Sequence, residues 1–148
     1  MIAELQAAVI ELLEAHRASS PEWNVQRVSA YGGQTSDPKI MKTVTATPQV
    51  FVDSPLSSKI KRSGPSGQLL VGEFPIDVIV FVENKVSKTA SASEAAKATD
   101  WLLDATIGKF VKVGDYPALV ADEIDFVTVT LQERRYVVAT FKMTVEVE

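Results

Sequence analysis

The sequence predicts an α+β domain: one mixed or antiparallel sheet of about five strands with two helices packed on one face, in the order α-β-β-β-α-β-β. Three observations predict it. The segment 122–148 alternates apolar and polar residues almost to its last position. Val137, Ala139, Phe141, Met143, Val145 and Val147 take one phase, and Val138, Thr140, Lys142, Thr144, Glu146 and Glu148 the other. Strand side chains change face at every residue, so this pattern is a long strand half-buried against a core. Two other segments, near 1–18 and 91–110, instead repeat apolar residues every three or four positions, as one helix face does. The length of 148 residues, with 46% hydrophobic and 23% charged residues, fits one soluble globular domain spanning 1–148.

The elements follow in order. In the first helix, 1 to about 18, Ile2, Leu5, Val9, Leu12, Leu13 and His16 share a face, and Glu4, Gln6, Glu11, Glu14 and Arg17 take the other. Ser19, Ser20 and Pro21 stop it. A strand is expected from Trp23 to Tyr31, closed by Gly32 and Gly33. The polar, threonine-rich stretch 34–48 reads equally as an exposed strand or a loop. A short apolar strand at 49–53 precedes 54–68, which is dense in glycine, proline and serine and reads as a long flexible loop. In the strand 69–83, Ile76, Val78, Val80 and Val82 alternate with Asp77, Ile79 and Phe81; apolar residues on both faces put it centrally in the sheet. Ser91-Ala-Ser-Glu94 has the capping-box pattern and starts the second helix, with Ala95, Ala98, Leu102 or Trp101, Ala105 and Phe110 on its inner side. Gly114 and Pro117 end it. Strands at about 124–131 and 135–147 close the chain through a tight turn at 132–134.

Composition limits the function. A net charge of −4 offers no broad basic face for duplex DNA. The absence of cysteine removes disulfides, thiolate metal sites and cysteine nucleophiles. No apolar run approaches the ~20 residues of a membrane span, and the acidic start does not resemble a secretory leader, so no membrane partner is expected.

Each candidate for chemistry has a plainer structural reading. His16, the one histidine, sits in the last turn of a helix, where the dipole favours a partly charged imidazole, and no motif ties it to a nucleophile or acid. Asp100 and Asp104 share a helix face and could meet a hard cation with help from Asp122, Glu123 and Asp125, but the spacing matches no calcium loop and a solvated acidic face explains it. Gly64-Pro-Ser-Gly67 is followed by Gln68 and Leu69, where a phosphate loop needs lysine and a hydroxyl residue. No catalytic residue, metal ligand or cofactor is therefore expected. Lys59, Lys61 and Arg62 form one basic cluster and Arg134 with Arg135 another, with no interleaved aromatic residues for base stacking. Trp23, Tyr31 and Trp101 read as core or as interface anchors. Should the last strand lie at a sheet edge, its unpaired backbone groups would invite another chain, with Lys142, Glu146 and Glu148 on its polar side.

The chain resembles a family of Mu-like phages and prophages encoded among tail genes. The residues that carry the resemblance are the start Met1-Ile-Ala-Glu-Leu-Gln-Ala-Ala-Val-Ile, the strand Pro48-Gln-Val-Phe-Val-Asp53, and Phe74-Pro-Ile-Asp-Val-Ile-Val-Phe-Val-Glu-Asn84. The helix Ala95-Ala-Lys-Ala-Thr-Asp-Trp-Leu-Leu-Asp104 and the C-terminal hairpin complete it, over nearly the whole chain, as a pattern of elements rather than an invariant motif. That layout is in turn similar to tail terminator, or tail completion, proteins of long-tailed phages. The resemblance implies a virion structural protein, assembled in the host cytoplasm, that forms a homo-hexameric ring at the head-proximal end of the tail tube. Such a ring stops tube polymerisation and provides the head–tail joining surface.

The implied partners are the chain itself, the tail tube protein, the head–tail connector and, in a contractile tail, the sheath protein; genomic DNA would only pass through the lumen. The resemblance brings no catalytic or binding residues with it. The expected interface residues, Lys59, Lys61, Arg62, Arg134, Arg135, Lys142, Glu146 and Glu148, rest on charge and placement alone. Two rival readings stay open: another connector or tube-like ring component, although tube proteins are usually richer in strands and lack the N-terminal helix, and a metal-dependent enzyme using Asp100 and Asp104.

Overall fold

A computed structural model describes residues 2–19, 23–34, 39, 44, 47–54, 59–63, 69–82, 88–113, 116–131 and 134–147, with the side chains of the outer strands largely outside the described part. Helix α1 (Ile2–Ser19) is followed by strands β1 (Arg27–Ala30), β2 (Gln49–Val52), β3 (Lys59–Ser63) and β4 (Leu69–Phe81). Helix α2 (Lys88–Thr106) and strands β5 (Phe110–Val113), β6 (Tyr116–Leu131) and β7 (Arg134–Val147) complete the order. The α+β class and the succession of long elements are those the sequence predicts. Two short strands, β3 and β5, are added to them.

β3 lies inside the segment expected to be a long loop. Ser63 pairs with Leu69 and Lys59 with Glu73, so β3 lies antiparallel against the start of β4. The loop reading weighed composition over 54–68 as a whole and overlooked a five-residue strand within it. The remaining residues of that segment, 55–58 and 64–68, and most of 34–48, lie outside the described residues. β5 exists because α2 ends early, at Thr106. Gly108 takes a left-handed φ of 66°, which costs glycine little and breaks the helical path. The Thr106 hydroxyl donates to the Leu102 carbonyl at 2.7 Å in the last turn. Phe110, expected on the inner side of the helix, is consequently a strand residue and 63% exposed.

β4 organises the sheet. One of its edges pairs antiparallel with β7 from Leu70 to Phe81, against Val147 to Tyr136. Its other edge is shared: β3 takes Leu69–Glu73, and β2 takes Val78–Phe81. The strand order is β1-β2-β4-β7-β6-β5, with β3 beside β4; only β1 and β2 run parallel. β7 is thus interior, flanked by β4 and β6, so the edge position weighed as one possibility for the last strand does not hold. Between Leu119 and Glu123 the β6 register shifts, so that the three residues 120–122 face Met143 alone. β5 pairs with β6 on the near side of this bulge only.

Alternation explains the two layers. Phe74, Ile76, Val78 and Val80 of β4 are buried with Val50 and Val52 of β2, Val28 of β1 and Val137 of β7. Leu5, Val9 and Leu13 of α1, and Ala95, Ala98, Trp101, Leu102 and Ala105 of α2, cover them from one side. The small alanines let α2 sit close to the strands. Ile79 and Phe81 face the other way into a smaller cluster with Phe51 and Val44, in which the Phe51 and Phe81 rings meet edge-on at 5.7 Å. Gln6, placed on the polar side of α1 by its chemistry, is half-buried and donates to the Val52 carbonyl at 2.9 Å, tying the helix to the end of β2.

Near the other end of α1, Arg17 donates to Glu14. That hydrogen bond holds the Glu14 carboxyl below its usual range; desolvation works against it, while the Arg17 charge and the Val28 backbone N–H add to it. With the folded value lowered, the pair stabilises the fold above the ordinary carboxylate range and loses that contribution as pH falls through the lowered value.

Gly72 is required by its neighbour two residues on. A Cβ at position 72 would lie 2.5 Å from Cε2 and 2.8 Å from Cζ of Phe74, whose ring is fully buried. Gly72→Val should therefore destabilise the protein by about 1–3 kcal/mol through overpacking, measured by urea unfolding. Phe74→Leu in the same background should recover part of the loss.

Candidate functional site

The densest set of interacting polar and aromatic side chains joins the end of α1, the segment entering β1, and the middle of α2. Trp101 is at its centre, buried at 5% exposure. The His16 ring meets it edge-on with centroids 5.1 Å apart at 62°, and Trp23 does the same at 6.3 Å and 61°. Trp23 donates its Nε1–H to Glu94 Oε2 at 3.2 Å, and Lys97 reaches Glu94 Oε1 at 3.2 Å. Sequence spacing sets this up on α2: Glu94, Lys97 and Trp101 lie three and four apart, so they stack along one side of the helix.

The chemistry of this cluster is that of a clasp. His16, considered above as a general base, is half-buried against an indole. Trp101 Nε1 is buried without a hydrogen-bond partner among the described residues. That orphan costs about 1–3 kcal/mol, offset by burial of a large ring and its edge-on contacts. Glu94 does not serve as the distal half of a capping box, because α2 already begins at Lys88. Its carboxylate instead bridges Trp23, 71 residues away in sequence, to Lys97.

The other predicted residues lie outside this cluster. Asp100 and Asp104 are both exposed on α2. Asp125 is exposed on β6, and among the described residues no three histidine, aspartate or glutamate side chains gather as a metal group. Lys59, Lys61 and Arg62 lie on β3, in register with Glu73, Val71 and Leu70. Lys61 and Glu146 share one row on either side of Val71. Arg134 and Arg135 begin β7 opposite Leu131 and Thr130, and Lys142 lies between Pro75 and Glu123. The side chains of these residues, and the whole of Glu148, lie outside the described residues. By register the structure places Lys59, Lys61, Arg62, Lys142 and Glu146 in neighbouring rows at one end of the β3–β4–β7 sheet, with Arg134 and Arg135 at the far end of β7.

What sequence reasoning missed is on the surface. Ile107 and Phe110 are each 63% exposed and Val127 is 57% exposed. A shallow cleft of about 370 Å³ opens between α1 and β5, lined by Ala8, Glu11, Leu12, Ala15, Val111 and Lys112. The glycine pair-free run Thr106-Ile-Gly-Lys-Phe was the available signal, since Gly108 marks a helix end there.

No protein-family model and no curated protein matches the chain. It is similar to a chain in a solved structure of the virion of a native gene transfer agent (GTA) particle, at 18% identity and a TM-score of 0.48, covering 97% of this chain and 95% of that one. A likeness of that degree carries no weight for function.

Trp101→Ala should destabilise the fold by about 3–5 kcal/mol, read by circular dichroism during urea unfolding. Asp100→Asn with Asp104→Asn should change stability by about 0.5 kcal/mol or less per site, as exposed substitutions do. If divalent cations raised the melting temperature of the native chain and not of this double variant, the two aspartates would be ligands.

Proposed function

We propose that this chain is a virion structural protein that acts by assembly: a tail terminator, forming a ring at the head-proximal end of a tail tube that ends tube polymerisation and offers the head–tail joining surface. The observation that carries the reading is the shape of the sheet. It ends in different strands on its two flanks, β6 with β5 on one side and β1 and β3 on the other. Two unlike edges are what a head-to-tail contact uses, and such contacts generate rings when the rotation closes. The residue pattern shared with the Mu-like tail-gene family supports the same reading, since the matched segments fall on α1, β2, β4, α2 and the β6–β7 hairpin.

In this reading the mechanism is geometric. Three long strands, β4, β7 and β6, form a stiff wall braced by α1 and α2, and copies of that wall surround a lumen. Six copies match the symmetry of the terminators the chain resembles. The tail tube protein binds one end of the ring and the head–tail connector the other, with a sheath protein outside where the tail is contractile. The net charge of −4 per chain keeps DNA phosphates from sticking as the genome passes.

Mass measurement of the purified chain, alone and with tail tube protein, combined with electron microscopy, tests this. The expected result is a closed ring, hexameric by mass, seated on tube ends. A chain that stays monomeric with tube present, or that coats the tube along its length, would overturn the terminator reading. Deleting 59–67, which removes β3, should give tails of irregular length that fail to join heads.

A further inference from the structure

Beyond the bulge, no strand among the described residues pairs with the outer side of β6: β5 pairs with Tyr116–Leu119, while β7 fills the inner side as far as Leu131. The segment Glu123–Leu131, Glu-Ile-Asp-Phe-Val-Thr-Val-Thr-Leu, is therefore an open edge among the described residues. It is rich in β-branched side chains, and its Asp125, Val127 and Thr128 are exposed. A long unpaired edge of this composition is a template for strand addition. On the opposite flank of the sheet, β3 is the outer strand beside β4 and reads Lys-Ile-Lys-Arg-Ser.

We infer that the open edge of β6 receives β3 of a second copy of this chain, as the subunit contact of the ring; the inference rests on the ring reading and names its interface. Two observations fit the pair. The first is polarity. β3 and β7 run antiparallel to β4, and β6 runs antiparallel to β7, so β3 and β6 point in opposite directions. A neighbour related by rotation about an axis along the strands keeps its strand directions, so its β3 meets β6 antiparallel, the arrangement a sheet edge accepts readily.

The second is charge. By register, Lys59, Lys61 and Arg62 of β3 stand beside Glu73, Val71 and Leu70 of β4, so three of its five positions are cationic residues. On β6, Asp122 falls in the bulge, and Asp125 faces Thr140. One outer strand thus carries a run of cationic residues in its sequence, and the other edge carries Asp122 and Asp125. β5 blocks the start of the β6 edge, so the incoming strand sits past the bulge, next to the acidic positions. The axial offset this needs is of the kind that closing a sheet into a ring imposes. Opposite charges then set register and exclude the like-with-like pairing of two β6 edges, which would bring aspartates together.

Charge reversal tests the contact. Lys61→Glu with Arg62→Glu should weaken self-assembly ~tenfold or more by analytical ultracentrifugation, and Asp122→Lys with Asp125→Lys should do the same. Mixing the two variants should restore rings, because alternating copies again meet with opposite charges at every contact. Recovery on mixing also shows that both variants are folded. The charge-conserving Lys61→Arg with Arg62→Lys should assemble like the native chain. If the native chain forms rings and the reversed variants form them equally well, or if folded variants do not rescue each other, this interface is wrong while the ring stands. A native chain that forms no ring even with tube protein overturns the ring reading itself.

Discussion

The pairing of β4 with β7 is the constraint on which the rest of the molecule depends. Leu70–Phe81 and Tyr136–Val147 run beside each other without a break, and β4 is buried on both faces from Val78 onward. A strand in that position must be apolar in both phases, and Ile79 and Phe81 satisfy the second face as Val78 and Val80 satisfy the first. Both helices, the β2–β1 pair and β3 are fastened to this ladder or to its immediate neighbours. The register is specified strongly there, because a slip of one residue would exchange the buried faces.

Much of this was legible in the residues. Period-two alternation gave β4, β6 and β7, and period-three-to-four spacing gave Leu5, Val9 and Leu13 as the buried stripe of α1. The central place of β4 followed from its two apolar phases. The failures have physical causes. β3 is short and mostly polar, and a strand that gains its stability from an edge partner leaves little hydrophobic signal. The helix end at Gly108 was overlooked because Phe110 continued the apolar spacing for one more turn. The interior position of β7 depends on long-range pairing with β4, and local pattern does not encode which neighbour a strand will find.

The clasp around Trp101 shows a different limit. Each of its members has a local reading in the sequence: His16 as a helix-end residue, Glu94 as half of a capping box, Trp23 as a strand residue. Their shared position is a tertiary fact. The clasp fastens α2 to the segment that enters β1, so it ties the two helices and the start of the sheet together.

The bulge in β6 has a consequence for how this chain can vary. Three residues, 120–122, stand opposite one, Met143, so the insertion amounts to two residues. An even insertion preserves the inward and outward phase, and Ile124 and Phe126 still pack toward the helices beyond it. Adding or removing a single residue there would turn every later side chain of β6 to the wrong face. Length at this point is quantised in pairs, and lineages of this fold should differ here by two residues or by none.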